Sequence, residues 1–406
     1  MDVEEKRKLD LLSIASVPLV MTLGNSMLIP LLPVMESKLK ISSLQTSFII
    51  SVYSVIAIIL IPITGYLSDR FGRKKVIIPS LIITAIGGLI SGLAAMLFDQ
   101  SYYWILIGRF IQGIGASGAF PVVLPLVGDM FKDEHKVSAS LGVVETSNTT
   151  GKVFSPIIGA LLGMITWYAP LLAIPVFSCV SLVLVFFLLK APKKQEEPMP
   201  FHEFLHNIKR IFAEKGRWLF AIFAIGCILM YVLFGVLFYL STLLEDNYHI
   251  TGIIKGIILA VPLLALSTAS FITGKKIGQN KTLMKWLSFS GCLLLSCAVF
   301  IISFSEHVDL LISGLVFGGI GIGLALPCLD AFITSGIEKE HRGSISSIYS
   351  SMRFIGVALG PPLFAIIIKL SHQVLFLSTA GICILASLLA LLSIRPKNHP
   401  VEDKLK

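Results

Sequence analysis

The sequence predicts an all-α membrane protein of about twelve spanning helices, folded as two six-helix bundles. Three observations carry this prediction. Hydrophobic residues make up 55% of the 406 and charged residues only 14%, with a mean hydropathy of +0.87; so few charges cannot cover a surface facing water. Apolar runs of about twenty residues, the length needed to cross a hydrocarbon core about 30 Å thick, recur along the chain. The pattern of the first half also returns in the second.

The first span, near 11–35, follows a segment of mixed charge (Asp2, Glu4, Glu5, Lys6, Arg7, Lys8). Its apolar stretch is longer than a signal-peptide core and lacks a small-x-small cleavage site, so it is expected to remain as a helix. Further spans are expected near 45–68, 76–97, 101–128, 137–163, 168–189, 217–244, 253–274, 285–304, 309–335, 344–369 and 374–394. All six cysteines (Cys179, Cys227, Cys292, Cys297, Cys328, Cys383) fall inside these spans. There they act as small apolar residues, and no disulfide and no metal site is expected.

The net charge of +9 could suggest nucleic acid, but its distribution points to a bilayer instead. With the N-terminus placed inside, 26 of the 33 Lys and Arg lie in inside segments and four lie outside (Lys38, Lys40, Lys255, Lys369). Three fall within spans: Arg109, Lys152 and Arg353. This is the positive-inside bias, which predicts a multi-pass protein of the cell membrane with both termini cytoplasmic and no nucleic-acid partner.

The repeat divides the chain. Gly113-x-Gly115 with Pro121 returns as Gly319-x-Gly321 with Pro327 at an offset of 206, and Gly151-x-x-x-Ser155-Pro156 aligns with Gly356-x-x-x-Gly360-Pro361. The expected units are a six-helix bundle over 1–189, a cytoplasmic linker over 190–216 and a second six-helix bundle over 217–406. In the linker, Phe201, Phe204, Leu205, Ile208 and Phe212 repeat at helical spacing, which predicts an amphipathic helix lying on the cytoplasmic leaflet. Repeats of this kind place a substrate site near the midplane where the halves meet.

Between the second and third spans lies Gly65-Tyr66-Leu67-Ser68-Asp69-Arg70-Phe71-Gly72-Arg73-Lys74-Lys75. The pattern G-x-L-x-D-R-x-G-R-[KR] resembles the loop joining the second and third helices in the major facilitator superfamily of secondary transporters. The resemblance implies the major facilitator fold and a gating role for Gly65, Asp69, Arg70, Gly72 and Arg73. It further implies that Asp69 caps the start of the eleventh span and that Arg73 pairs with Asp129 at the end of the fourth, a clamp favouring the outward-facing state. Arg109-x-x-Gln112-Gly113-x-Gly115 resembles the superfamily's second motif. Gly151-x-x-x-Ser155-Pro156-x-x-Gly159-Ala160 is similar to the seam motif of its antiporter branch, with Ser155 and Ala160 standing where that motif has glycine.

Residues that could carry coupling follow from the cost of charge in lipid. Glu145, Asn148, Lys152 and Ser155 are three or four apart and form one polar stripe. Glu145 sits roughly 10 Å and Lys152 roughly 20 Å from the inner end of the span. Glu145 is the expected proton carrier, with Asp330 second, since an acid that alternates between a desolvated site and a neighbouring cation can load and release a proton. A substrate cavity is expected to be lined by Asn25, Arg109, Gln112, Asn148, Lys152 and Arg353. Two readings stay open: Arg109 as a structural brace on a neighbouring helix, and Asp330 with Arg353 as a fixed neutral pair.

The sequence thus predicts a secondary active transporter, a proton-coupled antiporter exporting small amphipathic compounds or drugs by alternating access. Its partners would be a small-molecule substrate, protons and the bilayer, and it would act as a monomer without a cofactor. No G-x-x-x-x-G-K-[ST] loop occurs, so ATP hydrolysis on this chain is not the energy source. The alternatives are an uptake symporter of an organic anion, favoured by three buried cations against two acids, or a membrane receptor or enzyme.

Overall fold

A computed structural model describes residues 3–130, 134–190, 201–278, 280–337 and 339–394. These residues form thirteen α-helices: α1 Val3–Ser26, α2 Leu32–Leu39, α3 Ser43–Phe71, α4 Arg73–Leu97, α5 Tyr102–Met130, α6 Glu134–Ile165, α7 Ala169–Leu188, α8 Phe201–Asp246, α9 Gly252–Ile277, α10 Lys281–Ile302, α11 Val308–Gly336, α12 Lys339–Ile367 and α13 His372–Ser393. The short 3₁₀ turn Ile29–Leu31 joins α1 to α2, with Pro30 and Pro33 at the start of the two short helices. A proline has no N–H to give, so the first span is helical but jointed. Counting α1 and α2 as one crossing gives twelve, and an even number leaves both chain ends at one face of the membrane, here called the terminal face.

Eleven of the crossings among the described residues are apolar enough to span on composition alone. The twelfth is α6, whose stretch Glu145 to Lys152 is almost wholly polar. Its polar groups are absorbed by neighbours. Ser147 Oγ donates to the Ala15 carbonyl at 2.7 Å, and Thr22 Oγ1 donates to Asn148 Oδ1 at 2.6 Å. Elsewhere buried hydroxyls turn back onto their own helix, as Thr84 does onto Ser80 at 2.9 Å. Large apolar side chains such as Ile59, Trp104, Val176, Phe187 and Leu264 instead point outward, as lipid-facing residues must.

The packing carries the repeat into three dimensions. In the first half α1 packs on α6 and α7, α5 on α3 and α4, and α4 on α7. In the second half α8 packs on α12 and α13, α11 on α9 and α10, and α10 on α13, the same partnering helix for helix. Across the middle α3 meets α12 and α6 meets α9, an exchange of equivalent partners.

Two sequence expectations change here. The amphipathic segment near 201–212 is helical but forms the first turns of α8, which runs unbroken for 46 residues into the seventh crossing. At 1.5 Å per residue it is about 69 Å long, more than twice the hydrocarbon thickness. It is therefore not a separate helix lying flat on the leaflet; residues 191–200 of the linker lie outside the described residues. Lys255, expected in an exterior loop, lies in the first turn of α9 at 2% exposure.

Small residues set the seam between α6 and its neighbours. A side chain at Gly159 would run into the Met27 carbonyl, and one at Gly256 would lie 2.7 Å from the Pro156 carbonyl. Gly159→Val should therefore force α1 and α6 apart at a cost of about 1–3 kcal/mol, lowering the melting temperature of the purified protein in detergent. A melting curve unchanged from wild type would contradict this packing.

Candidate functional site

At the terminal face, Gly72 ends α3 and begins α4 with φ +102° and ψ 141°, a backbone that a residue with a Cβ rarely adopts. The turn aims Arg73 back into the bundle. Its Nη1 meets Asp69 Oδ1 at 2.5 Å and donates to Ser68 Oγ at 2.7 Å, while its Nε donates to Asp129 Oδ2 at 2.9 Å. Arg70, next to it, is exposed and lies over Phe71. Asp69 and Arg73 share a small cavity with Gly343, Ser344 and Ser347 at the start of α12. Gly65 lies so close to α12 that a Cβ there would be 2.8 Å from Ser347 Oγ. The residues of the charged turn thus come together with Asp129 and the eleventh crossing. Since the Asp129 side chain is 48% exposed, its pair with Arg73 is worth on the order of 0–1 kcal/mol, a contact that is easily broken.

The halves also touch near the opposite face. Ser241 Oγ on α8 donates to the Ile29 carbonyl at 2.8 Å, and Gly252 lies against Met164. The two halves therefore touch at both ends of the seam.

Arg109 is completely buried and fully engaged. Nε donates to the Ile49 carbonyl at 2.8 Å, Nη1 to Gln112 Oε1 at 2.6 Å and to the Gly24 carbonyl at 3.3 Å, and Nη2 to Asn25 Oδ1 at 2.6 Å. Its guanidinium also sits 4.5 Å from the Tyr53 ring centroid. This geometry ties α1, α3 and α5 together. Asn25 and Gln112, at 7% and 1% exposure, belong to the same brace. In this conformation the three are buried in the brace, where the sequence expectation had them lining a substrate cavity.

The remaining polar residues converge across the seam. Asn148 Nδ2 donates to both carboxylate oxygens of Glu145, at 3.2 and 3.3 Å. Lys152, one helical turn further on α6, forms no direct ion pair with Glu145 among the described residues, and Ser155 turns its hydroxyl back to the Lys152 carbonyl at 3.0 Å. On the other side Arg353 Nη1 approaches Asp330 Oδ1 at 3.5 Å, a loose contact. Glu145, Lys152, Asp330 and Arg353 lie within electrostatic reach of one another. The Asp330 side chain is 41% accessible although it faces these charges from the other half, so its open surface looks into the interior. Gly151, Ser155, Pro156 and Gly159 form the small-residue edge beside this group, with Gly151 against Leu19 and Thr22 of α1.

Sequence reasoning missed two features. Tyr349 on α12, 4% exposed, lies beside Asp330 and Arg353; one tyrosine in a serine-rich stretch gives no signal until the fold places it. Lys255 Nζ is paired with Glu245 Oε2 at 2.6 Å near the opposite face, and only the α8–α9 turn brings these two residues together.

A family model of the Major Facilitator Superfamily matches residues 14–361 and 285–406. A bacillibactin exporter of Bacillus subtilis (strain 168) is 51% identical over 397 residues, covering 98% of this chain and 99% of that protein. A class H tetracycline resistance protein of Pasteurella multocida is 26% identical, with 86% of each chain covered. Among solved structures, a D-xylose-proton symporter superimposes with a TM-score of 0.76 at 13% identity, covering 95% of this chain and 97% of that one. The human organic anion transporter MFSD10 (TETRAN) gives 0.74 at 18% identity, covering 96% and 100%. At these identities the two structures speak to the fold alone.

Arg109→Met should strip donors from two buried carbonyls and two side-chain amides, each orphaned group costing about 1–3 kcal/mol. The expected outcome is a marked fall in folded yield and melting temperature. A variant that folds like wild type but selectively loses substrate binding would return Arg109 to the cavity.

Proposed function

The chain belongs to the major facilitator superfamily, and on that premise we propose that it is a proton-coupled exporter of small amphipathic compounds, bacillibactin among them. The substrate suggestion rests on the 51% identical relative described as a bacillibactin exporter. In this reading the protein is a monomer of the cell membrane with both termini cytoplasmic. Its bundles are residues 1–189 and 217–406, joined through 190–216.

One observation carries the coupling: two carboxylates, Glu145 and Asp330, face each other across the seam among two cations, Lys152 and Arg353, and none of the four is locked in a tight pair. Burial favours the neutral acid and a nearby cation favours the charged one. As the halves rock, a change in cation distance or water access moves Glu145 between these states. Substrate and proton would compete for the carboxylate: a substrate N–H or O–H donating to Glu145 replaces the proton, and its departure lets the proton return. Lys152 and Arg353 would take the substrate's acceptor oxygens, and Asn148 would orient Glu145.

The turn at Asp69 and Arg73, with Gly65, Arg70, Gly72 and Asp129, would act as the latch of the cytoplasmic side. Uptake of an organic anion drew its support from three buried cations against two acids. With Arg109 committed to Asn25, Gln112 and backbone carbonyls, the seam holds two of each, and that support is lost.

In membrane vesicles with an imposed pH gradient, Glu145→Gln should abolish uphill bacillibactin transport while leaving binding within a few fold, because the amide keeps the shape but cannot exchange a proton. Uphill transport at the wild-type level would remove Glu145 from the coupling role. Asp69→Asn should slow turnover several fold with little change in affinity, since the latch lies away from the seam cluster. Loss of binding in a folded Asp69→Asn protein would contradict a gating role.

A further inference from the structure

Tyr349 is held with unusual firmness for a residue whose polar end has no aligned partner. Its ring stacks on Phe223 at 5.9 Å between centroids, with the planes 28° apart. On another side it rests on Gly226, where a Cβ would come within 2.7 Å of Tyr349 Cε2. The Arg353 guanidinium sits over the ring at 5.6 Å, one turn further along α12. So seated, the hydroxyl cannot swing to water. It is buried without a well-aligned hydrogen bond, although it approaches the Asp330 carboxylate. Leaving a buried phenol without a partner is unfavourable, and a small rotation of Asp330 would supply one.

We propose that Tyr349 is a positioning residue for Asp330: its hydroxyl donates to the carboxylate when Asp330 is charged and lets go when Asp330 takes up a proton. This rests on the proton-coupled reading above and gives Asp330 a defined place in it. The proton arrives from and returns to the water-accessible interior, and Tyr349 keeps its own throughout. The loose 3.5 Å contact to Arg353 leaves the carboxylate free to take the second donor. The charged and titratable groups facing Asp330 are Arg353 and Tyr349 on α12, Glu145 and Lys152 on α6, and Cys328 on its own helix. Tyr349 is neutral, so its effect can be removed without changing the charge of the cluster.

The test needs no substrate. Infrared difference spectra of the purified protein in lipid, recorded across pH, contain the C=O band of a protonated buried carboxyl, and the part lost in Asp330→Asn belongs to Asp330. In Tyr349→Phe, which keeps the ring and its packing, that band should titrate at higher pH by about one unit, because the charged form loses a donor. An unchanged midpoint in a Tyr349→Phe protein that melts like wild type overturns the proposal while leaving the role of Glu145 untouched. If the wild-type band does not titrate at all, both the proposal and the proton role of Asp330 fall. As a second check, Tyr349→Phe should shift the pH dependence of bacillibactin transport in the wild-type background and not in Asp330→Asn. A shift that persists in Asp330→Asn overturns the proposal.

Discussion

A charge inside hydrocarbon must find partners, and the arrangement of this protein's interior follows from that requirement. An unpartnered buried ion costs several kcal/mol even after relaxation. Three solutions occur side by side. Among the described residues Arg109 has no carboxylate partner; it is wrapped by carbonyls, amides and the face of Tyr53. Lys255 and Glu245 form a direct pair at 2.6 Å. Glu145, Lys152, Asp330 and Arg353 make a third group in which the contacts lengthen to 3.2–3.5 Å. Tight arrangements fix a scaffold, because breaking them strands a charge. The loose one can exchange partners at small cost, as coupling to a mobile ion requires.

The same division between fixed and mobile appears in the helix packing. Arg109 binds α1, α3 and α5 into one body, and small residues let α6 lie directly against α1 and α9. Between the halves α3 packs on α12 and α6 on α9, with smaller contacts of α2 and the Ile29–Leu31 turn on α8; the turn that touches α12 is held within the first half by the partly exposed Arg73–Asp129 pair. A contact worth on the order of 1 kcal/mol or less can bias an equilibrium between conformations without trapping either one. Because the latch and the opposite-face contacts at Ser241 and Gly252 coexist here, the charged turn alone does not dictate which side is open.

Much of the fold was legible in the sequence because its causes are one-dimensional. Span length is set by bilayer thickness, and the repeat survives as spaced Gly and Pro. The turn at Gly72 shows itself because charges there interrupt two apolar runs. The site was legible only in part. Glu145, Asn148 and Lys152 stand out as polar residues at helical spacing, but the fate of Arg109 depended on the carbonyls of Ile49 and Gly24, and a backbone carbonyl carries no residue-specific signal. Lys255 looked like a loop residue because its partner, Glu245, is ten positions earlier, across a turn. Residues 201–212 showed the right helical period, yet nothing in that period distinguishes a helix lying on a membrane from the first turns of one that continues through it.

In the proposed cycle the balance of charge at the seam links the substrate to the direction of coupling. With both acids ionised, Lys152 and Arg353 are matched and the group is neutral; one proton leaves it at +1. A purely anionic substrate is therefore drawn in by protonation, which makes proton and substrate travel together. A substrate that offers hydrogen-bond donors or positive charge to Glu145 is displaced by the same proton, which makes them travel in opposite directions. Exchange of a proton for an exported compound thus asks for a molecule with donors for the carboxylates as well as acceptors for the two cations. A cluster with Arg109 included would have held a standing excess of positive charge and favoured anions in every protonation state. With Arg109 committed to the scaffold, the proposed uptake of one proton by Glu145 or Asp330 would take the site from neutral to positive, and so switch its attraction for anions on and off.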